Sequence, residues 1–305
     1  MFMKLRRIFT DKKYCFETLD RHGLLRFVPD DKYLKRKYWY KMHRELHLEE
    51  PVSFSEKLQW LKLYDRKPIY TTMVDKYAAK QYVSDCLGEQ HIIPTLGVWD
   101  SFDEIDFDTL PDRFVLKCTH DSGGLVIVKD KSKIDRESAR KKIESSLKRN
   151  YFWQGREWPY KDVKPRILAE AFMENKNGEP LRDYKFYCFN GEPGFLYISE
   201  GLENHATASI SFVNLDWTFA PYERSDYKPF QTLPPKPERF ADMLRIAKTL
   251  SKGTDFLRVD LYQINGEIYF SELTFSPCGG MMPFREEKHD FEIGKMLKLT
   301  KINKD

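Results

Sequence analysis

Twice in this chain an Asn-Gly pair interrupts an alternating apolar run, in YKFYCF-Asn190-Gly191-EPGFLYIS and again in FLRVDLYQI-Asn265-Gly266-EIYFSELTF. The tightest hairpin turn needs positive φ at both central residues, and Asn-Gly satisfies that at little steric cost. The spacing therefore predicts two antiparallel hairpins. Between them ATASISFV reads as another strand, Pro229–Pro237 as a loop and Pro237–Ser251 as an amphipathic helix. A last helix is expected over Asp290–Leu299.

Upstream, RFVLKC (113–118) and LVIVKD (125–130) read as a further hairpin, joined by the loop THDSGG, which is expected to be exposed and flexible. Asp135–Arg149 reads as a charged helix and RILAEAFM (166–173) as a strand. The first third is helical in pattern. Asp31–His47 is rich in helix formers, and Ser53-Phe54-Ser55-Glu56 is a capping box opening FSEKLQWLKLYD. Asp75 is placed to cap a helix from Lys76 to about Cys86, closed by Gly88. The class is α+β: a helical N-terminal region followed by a body of antiparallel hairpins.

Composition narrows the field. The chain has 305 residues, 41% apolar and 32% charged, with a mean hydropathy of −0.62. No apolar run approaches the ~18 residues of a membrane-spanning helix. The start, MFMKLRRIFTDKKYCF, lacks the apolar segment of a secretory signal. A net charge of +4 is too mild for nucleic-acid binding. The basic clusters Lys4–Arg7 and Lys32–Lys41 read as solvated helix faces or as a face toward an anionic membrane. Five scattered cysteines without a C-x-x-C pair argue against a disulfide framework or zinc knuckle and for a reducing cytoplasm. Aromatics at 15% suit a sugar-handling surface or a Tyr/Phe-rich core equally.

Four segments carry chemistry. FVLKCTHDSGG puts Lys117 at a strand end ahead of Gly123 and Gly124, an arrangement that suits polyphosphate and equally an ordinary hairpin turn. In FLRVDLYQINGEIYFSELTF, period two places Arg258 and Asp260 on one strand face and Glu272 and Thr274 on the face of the next. Hard oxygen ligands on adjacent strands suit Mg²⁺ brought in on nucleotide phosphates, whereas an Arg258–Asp260 ion pair with a lone Glu272 is the plain alternative. Glu170 lies on a strand whose main chain could hold an adenine edge. Asp183-Tyr184-Lys185 is either a solvated face or part of a phosphate or carboxylate site.

The order of these segments resembles an ATP-grasp domain, and more closely the TupA-like ATP-grasp family associated with teichuronopeptide and other bacterial surface polysaccharides. FSEKLQWLKLYDRKPIYTTMVDKYAAKQYV, IIPTLGVWDSFDEIDFDTLPDRFVLKCTHDSGG, REWPYKDVKPRILAEAF, LRDYKFYCFNGEP and FLRVDLYQINGEIYFSELTFSPCGG carry the resemblance, over residues 54–280. It implies an ATP-grasp fold of two α+β lobes: a helical region over 1–75, a first lobe over 76–175 and a second lobe with the metal-binding hairpin over 176–305. Lys117 is implied to contact the nucleotide phosphates, with Ser122, Gly123 and Gly124 closing over them. Lys76 and Lys80 stand where another ATP-contacting basic residue is common. Glu170 and Phe172 are implied at the adenine hinge and Glu174 at the ribose. Lys185 is implied to face phosphate, and Arg258 to stabilise the transferring phosphoryl group. Asp260 and Glu272 match the metal carboxylates, whereas Thr274 replaces the asparagine usual there. A Rossmann-like domain ahead of the lobes is not evident.

The implied activity is an ADP-forming carboxylate–amine ligase using ATP and Mg²⁺, with a cytoplasmic location reaching the inner membrane face. Its expected partners are a uronic-acid-containing glycan or lipid-linked sugar and an amino acid or other small amine. A nucleotide-sugar glycosyltransferase is the main competitor, but its only D-x-D triplet, Asp106-Phe107-Asp108, reads as an acidic loop. A sugar phosphotransferase and a non-catalytic carbohydrate-binding shell also fit. His120 and His205 carry no assigned role.

Overall fold

The computed structural model describes residues 10–202 and 207–300. Lys4–Arg7 and His205 lie outside the described residues. The N-terminal region comprises α1 (Lys12–Arg21), α2 (Asp30–Met42), α3 (Phe54–Tyr64) and a short α4 (Ile69–Val74). α2 ends five residues before the predicted limit, where His43 turns left-handed at φ 56°. α3 starts as expected: the Ser53 hydroxyl accepts from the Glu56 N–H while the Glu56 carboxylate reaches back to the Ser53 N–H.

The predicted helix after Asp75 is α5 (Ala78–Leu87), two residues later than the sequence suggested. The Asp75 carboxylate accepts from the Tyr77 and Ala78 N–H groups, holding the entry turn, and Gly88 closes the helix at φ 96°. Strand β1 (Thr95–Trp99) carries no clear alternation in its sequence and was not anticipated.

β1 joins β2 (Phe114–Cys118), β3 (Leu125–Val128) and β4 (Ile167–Ala171) in a four-stranded antiparallel sheet of order β1-β4-β2-β3. Helix α6 (Arg136–Leu147), capped by Asp135, covers one face and buries Ala139 and Ile143 against Phe114, Leu116 and Val128. The five-stranded sheet has order β7-β6-β5-β8-β9, all antiparallel: β5 (Arg182–Phe189), β6 (Glu192–Glu200), β7 (Ser209–Asn214), β8 (Phe256–Ile264) and β9 (Glu267–Thr274). Both Asn-Gly turns have positive φ at each position: 50° and 83° at Asn190-Gly191, 53° and 84° at Asn265-Gly266. These angles make them the hairpin turns the sequence demanded.

The two faces of the larger sheet are covered differently. Helix α7 (Phe240–Ser251) and α5 bury one, through Phe240, Met243, Ala247 and Leu250 against Phe186, Leu196 and Val259. The other carries an aromatic layer of Tyr187, Phe189, Phe195, Tyr197 and Phe212, closed by Phe54 of α3 and Ile293 of α8 (Lys288–Gly294). α8 ends at Gly294, short of the predicted Leu299. The last turn is held against α3 instead: Lys57 Nζ donates to the carbonyls of Gly294 (2.8 Å) and Leu297 (2.7 Å). Asp290 of α8 accepts from the Ser55 N–H and hydroxyl at 2.9 Å each and pairs with Arg44.

Candidate active site

On the open part of the aromatic face, the strand registers line residues up across the sheet. Phe212 stands opposite Tyr197, Tyr197 opposite Lys185, Lys185 opposite Asp260, and Asp260 opposite Glu272. One transverse row thus runs over five strands. The next row holds Tyr187, Arg258 and Thr274. Between Asp260 and Leu261 the β8–β9 register slips by one residue, a bulge that skips Ser271. The bulge keeps Glu272 and Thr274 on the face of Asp260 and Arg258 while the strand bends away.

Asp260 is fully buried and both its oxygens are engaged. Arg258 donates from Nε and Nη2 at 2.7 Å each, and Lys185 Nζ donates at 2.7 Å while also lying 3.2 Å from Asp183. Arg258 Nη2 further donates to the Thr274 hydroxyl at 3.0 Å. Burial works against every charge here, and mutual attraction outweighs it. The Asp260 carboxyl is held below its ordinary value, and the Lys185 and Arg258 cations stay well above theirs. The Arg258–Asp260 pair left open by the sequence is therefore present. Glu272 is half-buried rather than fully exposed, and among the described residues no ion pair is made to it.

On the smaller sheet, Glu170 is clasped between Lys117 (2.5 Å) and Lys80 (2.6 Å). Burial raises its carboxyl, and the two ammonium groups more than undo that, leaving it below the ordinary range. Lys80 also donates to the Ile93 carbonyl at 2.6 Å. One expectation needs correcting: Glu170 has no free main chain for an adenine edge, because β4 is paired there with both Thr95 of β1 and Val115 of β2. The main chain outside the ladder begins past Ala171. There the Phe172 ring carries the Arg113 guanidinium at 4.2 Å, and Glu174 pairs with the same arginine.

The β2–β3 loop is also less open than expected. Thr119, His120 and Asp121 are buried, and only Ser122 and Gly123 project. Asp121 organises the turn, accepting from the Gly124 N–H at 3.0 Å and from the Ser146 hydroxyl. Lys76 donates to the Asp121 carbonyl. Gly124 lies tight against Cys118 and Ser146, where a Cβ would stand 2.7 Å from the Ser146 oxygen. Ser122, Gly123 and Arg149 line a small cavity of about 70 Å³ with Tyr151 and Gln154. His120 is a buried structural histidine whose Nε2 lies 3.0 Å from the Arg149 carbonyl. Asp106 accepts from the Asp108 N–H at 3.0 Å, so the D-x-D triplet is a local turn around the buried Phe107.

The sequence reading missed Lys62 and Glu157, both buried beside this site. Lys62 Nζ donates to Gly279 O (2.6 Å), Gly155 O (3.0 Å) and Gln59 Oε1 (3.0 Å), and burial pushes it down to about 8. Burial raises the Glu157 carboxyl, and Lys62 and Arg258 pull it back only in part. An Arg-Glu pair set against aromatics, in REWPY, was the one signal available for Glu157.

Among the described residues no three His, Cys, Asp or Glu side chains converge as a ready metal cage. Mg²⁺ is commonly held by one or two carboxylates plus substrate phosphates. Glu272 is the carboxylate placed to act so, and Asp260 beside it would become a second only by sharing its cations with an incoming anion. The exposed turn at Ser122–Gly123, with Lys76 and Lys117 at its base, fits a polyphosphate.

Two antiparallel sheets, one bearing a lysine-clasped glutamate and a glycine turn and the other a Lys185–Asp260–Glu272 row with Arg258 in the row beside it, make up an ATP-grasp fold. The family model for TupA-like ATP-grasp proteins matches residues 56–298, and the chain belongs to that family. Among solved structures it is similar to the D-alanine–D-alanine ligase of Helicobacter pylori, at 16% identity, 80% of this chain, 69% of that one and a TM-score of 0.40. It is also similar to a RimK-domain ATP-grasp protein of Sphaerobacter thermophilus, at 11% identity, 77% and 70% coverage and a TM-score of 0.41. The Bacillus anthracis D-alanine–D-alanine ligase complexed with ATP matches at 14% identity and a TM-score of 0.38 over 67% of this chain, which spans 54% of that enzyme. No curated protein is significantly similar in sequence.

Proposed function

We propose that the chain is an ADP-forming carboxylate–amine ligase that acts on a glycan carboxylate, in the setting of bacterial surface polysaccharide synthesis. The row Lys185–Asp260–Glu272 with Arg258 beside it carries the reading: two buried cations fixed by one carboxylate, next to a second carboxylate that makes no ion pair among the described residues. In such a reaction the carboxylate oxygen attacks the γ-phosphorus and ADP departs. The amine then attacks the acyl carbon, phosphate leaves, and the nitrogen gives up a proton. Lys117 and Lys76 would draw the nucleotide phosphates to the turn at Ser122–Gly123. Arg258 and Lys185 would neutralise charge that grows on the transferring group, needing little reorganisation because Asp260 already holds them. Mg²⁺ arriving with the nucleotide would sit against Glu272 and Asp260 and supply further neutralisation of the phosphates.

The acceptor side has room for a ring. At the far end of the same row, Phe212 forms the floor of a cavity of about 300 Å³ walled by Phe219, Tyr222, Tyr227 and Phe230, with Arg224 and Glu223 at its edge. Three strand spacings separate Phe212 from Asp260, roughly 14 Å. Aromatic faces with a cation and a carboxylate at the rim suit a sugar unit lying beyond the reacting carboxylate.

The test is ADP release with MgATP, methyl glucuronide and a panel of amino acids, alongside Lys117→Ala and Glu272→Ala. Release that needs both co-substrates, an amide product by mass and losses on the order of 10²–10³ in both variants are expected. Release with a hydroxyl acceptor alone would make the protein a phosphotransferase. Turnover of a nucleotide-sugar without ATP would replace the reading by glycosyl transfer.

A further inference from the structure

The most exposed apolar side chains among the described residues belong to one short segment. Phe27 is 97% exposed and Leu24 64% exposed, both in the loop between α1 and α2. Isolated surface leucines are ordinary, but a phenylalanine with almost its whole surface in water three residues from another bare apolar group is not. The same loop exposes Arg26, and the last residue of α1, Arg21, is exposed beside it in the chain.

The helix that follows continues the pattern. Lys32, Lys35, Arg36 and Trp39 recur at i, i+3, i+4 and i+7, which puts them on one face of α2, and all four are exposed, Trp39 to 48%. The opposite side buries Tyr33, Leu34 and Tyr38. This basic face is only partly offset by carboxylates: among the described residues Lys35 makes a long, exposed ion pair with Glu49 at 4.0 Å, and Arg36 lies over the Tyr40 ring at 5.8 Å. A Trp among cations, next to two projecting apolar groups, is the composition of a surface that sits at a lipid headgroup boundary.

We propose that the α1–α2 loop and the outer face of α2 form a docking surface for an anionic lipid bilayer. Leu24 and Phe27 enter the acyl boundary, Trp39 lies at headgroup level, and Lys32, Lys35 and Arg36 face the lipid phosphates. The charge complementarity selects a membrane over a neutral protein partner, and the two bare apolar side chains select it over nucleic acid. This inference stands apart from the ligase reading, because none of these residues belongs to the proposed site.

Flotation of the full chain with phosphatidylcholine vesicles, with and without phosphatidylglycerol, tests it. Wild type is expected to float with the anionic vesicles only. Replacing Lys32, Lys35 and Arg36 together by Gln should weaken partitioning on the order of 100-fold. Leu24→Ser with Phe27→Ser should weaken it about tenfold or more. ADP release by both variants should match wild type, since the changed side chains are exposed and none of them belongs to the proposed site. Unchanged flotation of either variant, or no flotation of wild type, overturns the proposal. Retention on poly(U) without flotation would reassign the face to nucleic acid.

Discussion

Asp260→Asn separates the two roles its position allows. In the free protein Asp260 is a wholly buried carboxylate that receives three hydrogen bonds from two cations whose side chains are each 10% exposed. The asparagine keeps the shape and loses the charge, leaving Arg258 and Lys185 beside each other uncompensated. Removing one member of a buried ion pair typically costs about 3–5 kcal/mol. Lys185 keeps Asp183 at 3.2 Å, so the lower end, about 3 kcal/mol, is the better figure. At roughly 2–4 °C per kcal/mol, the melting temperature should fall by about 6–12 °C in calorimetry without nucleotide. The pH dependence has a definite sign. Because folding lowers the Asp260 pKa, its contribution is complete above the unfolded carboxyl range and is lost as pH falls through the depressed folded value. The gap between wild type and variant therefore persists through neutral pH and closes only in acid. A fall of less than about 2 °C would refute the ion-pair account and leave Asp260 as a ligand residue alone.

Two further outcomes follow from the loop and the buried lysine. Gly124→Ala should destabilise by about 1–3 kcal/mol and impair nucleotide binding, read by chemical denaturation and ADP titration. Gly123→Ala meets the Arg149 guanidinium at 3.4 Å and an Asp121 carboxylate oxygen at 3.8 Å and should be nearly neutral, within about 0.5 kcal/mol. Lys62→Met strands the Gly155 and Gly279 carbonyls and should destabilise by roughly 1–3 kcal/mol. Folding lowers the Lys62 pKa from near 10.5 to about 8, so the unfolded chain binds more protons between those values. Wild-type stability relative to Lys62→Met should therefore rise as pH increases from 8 to 10, and a flat difference would show that Lys62 titrates normally.

Local chemistry was legible wherever one residue type suffices. The Asn-Gly turns and the Ser53/Glu56 box each satisfy their own backbone, and each lies where the sequence placed it. The pairing of Arg258 with Asp260 was legible as one of two options, since period two puts them on one face but cannot show whether a cation or a metal takes the carboxylate. What escaped was long-range. Glu170 reads as a strand-end carboxylate until β1, with no alternation of its own, pairs along it. Lys62 reads as one more exposed helix lysine, and only the folded chain brings the carbonyls of Gly155 and Gly279 to it. Glu157 had only the aromatic company of REWPY to mark it, and its burial beside Lys62 is likewise a product of the fold.

The seam between α3 and α8 bears on how the protein is made. Phe54 and Leu58 bury themselves against residues of the 280s and 290s, and Gly294 packs so closely that a Cβ there would stand 2.8 Å from the Phe54 nitrogen. During synthesis at about 5–20 residues per second, the apolar side of α3 leaves the ribosome roughly 10–50 s before its partner does. For that interval Phe54, Leu58 and Leu61 have at most the aromatic layer of the larger sheet to pack on, through Tyr187, Phe189 and Phe256, and the α8 side of the seam stays open to a chaperone. A chain that has emerged as far as Thr274 but not Ile293 would present the larger sheet already paired but its aromatic layer unsealed.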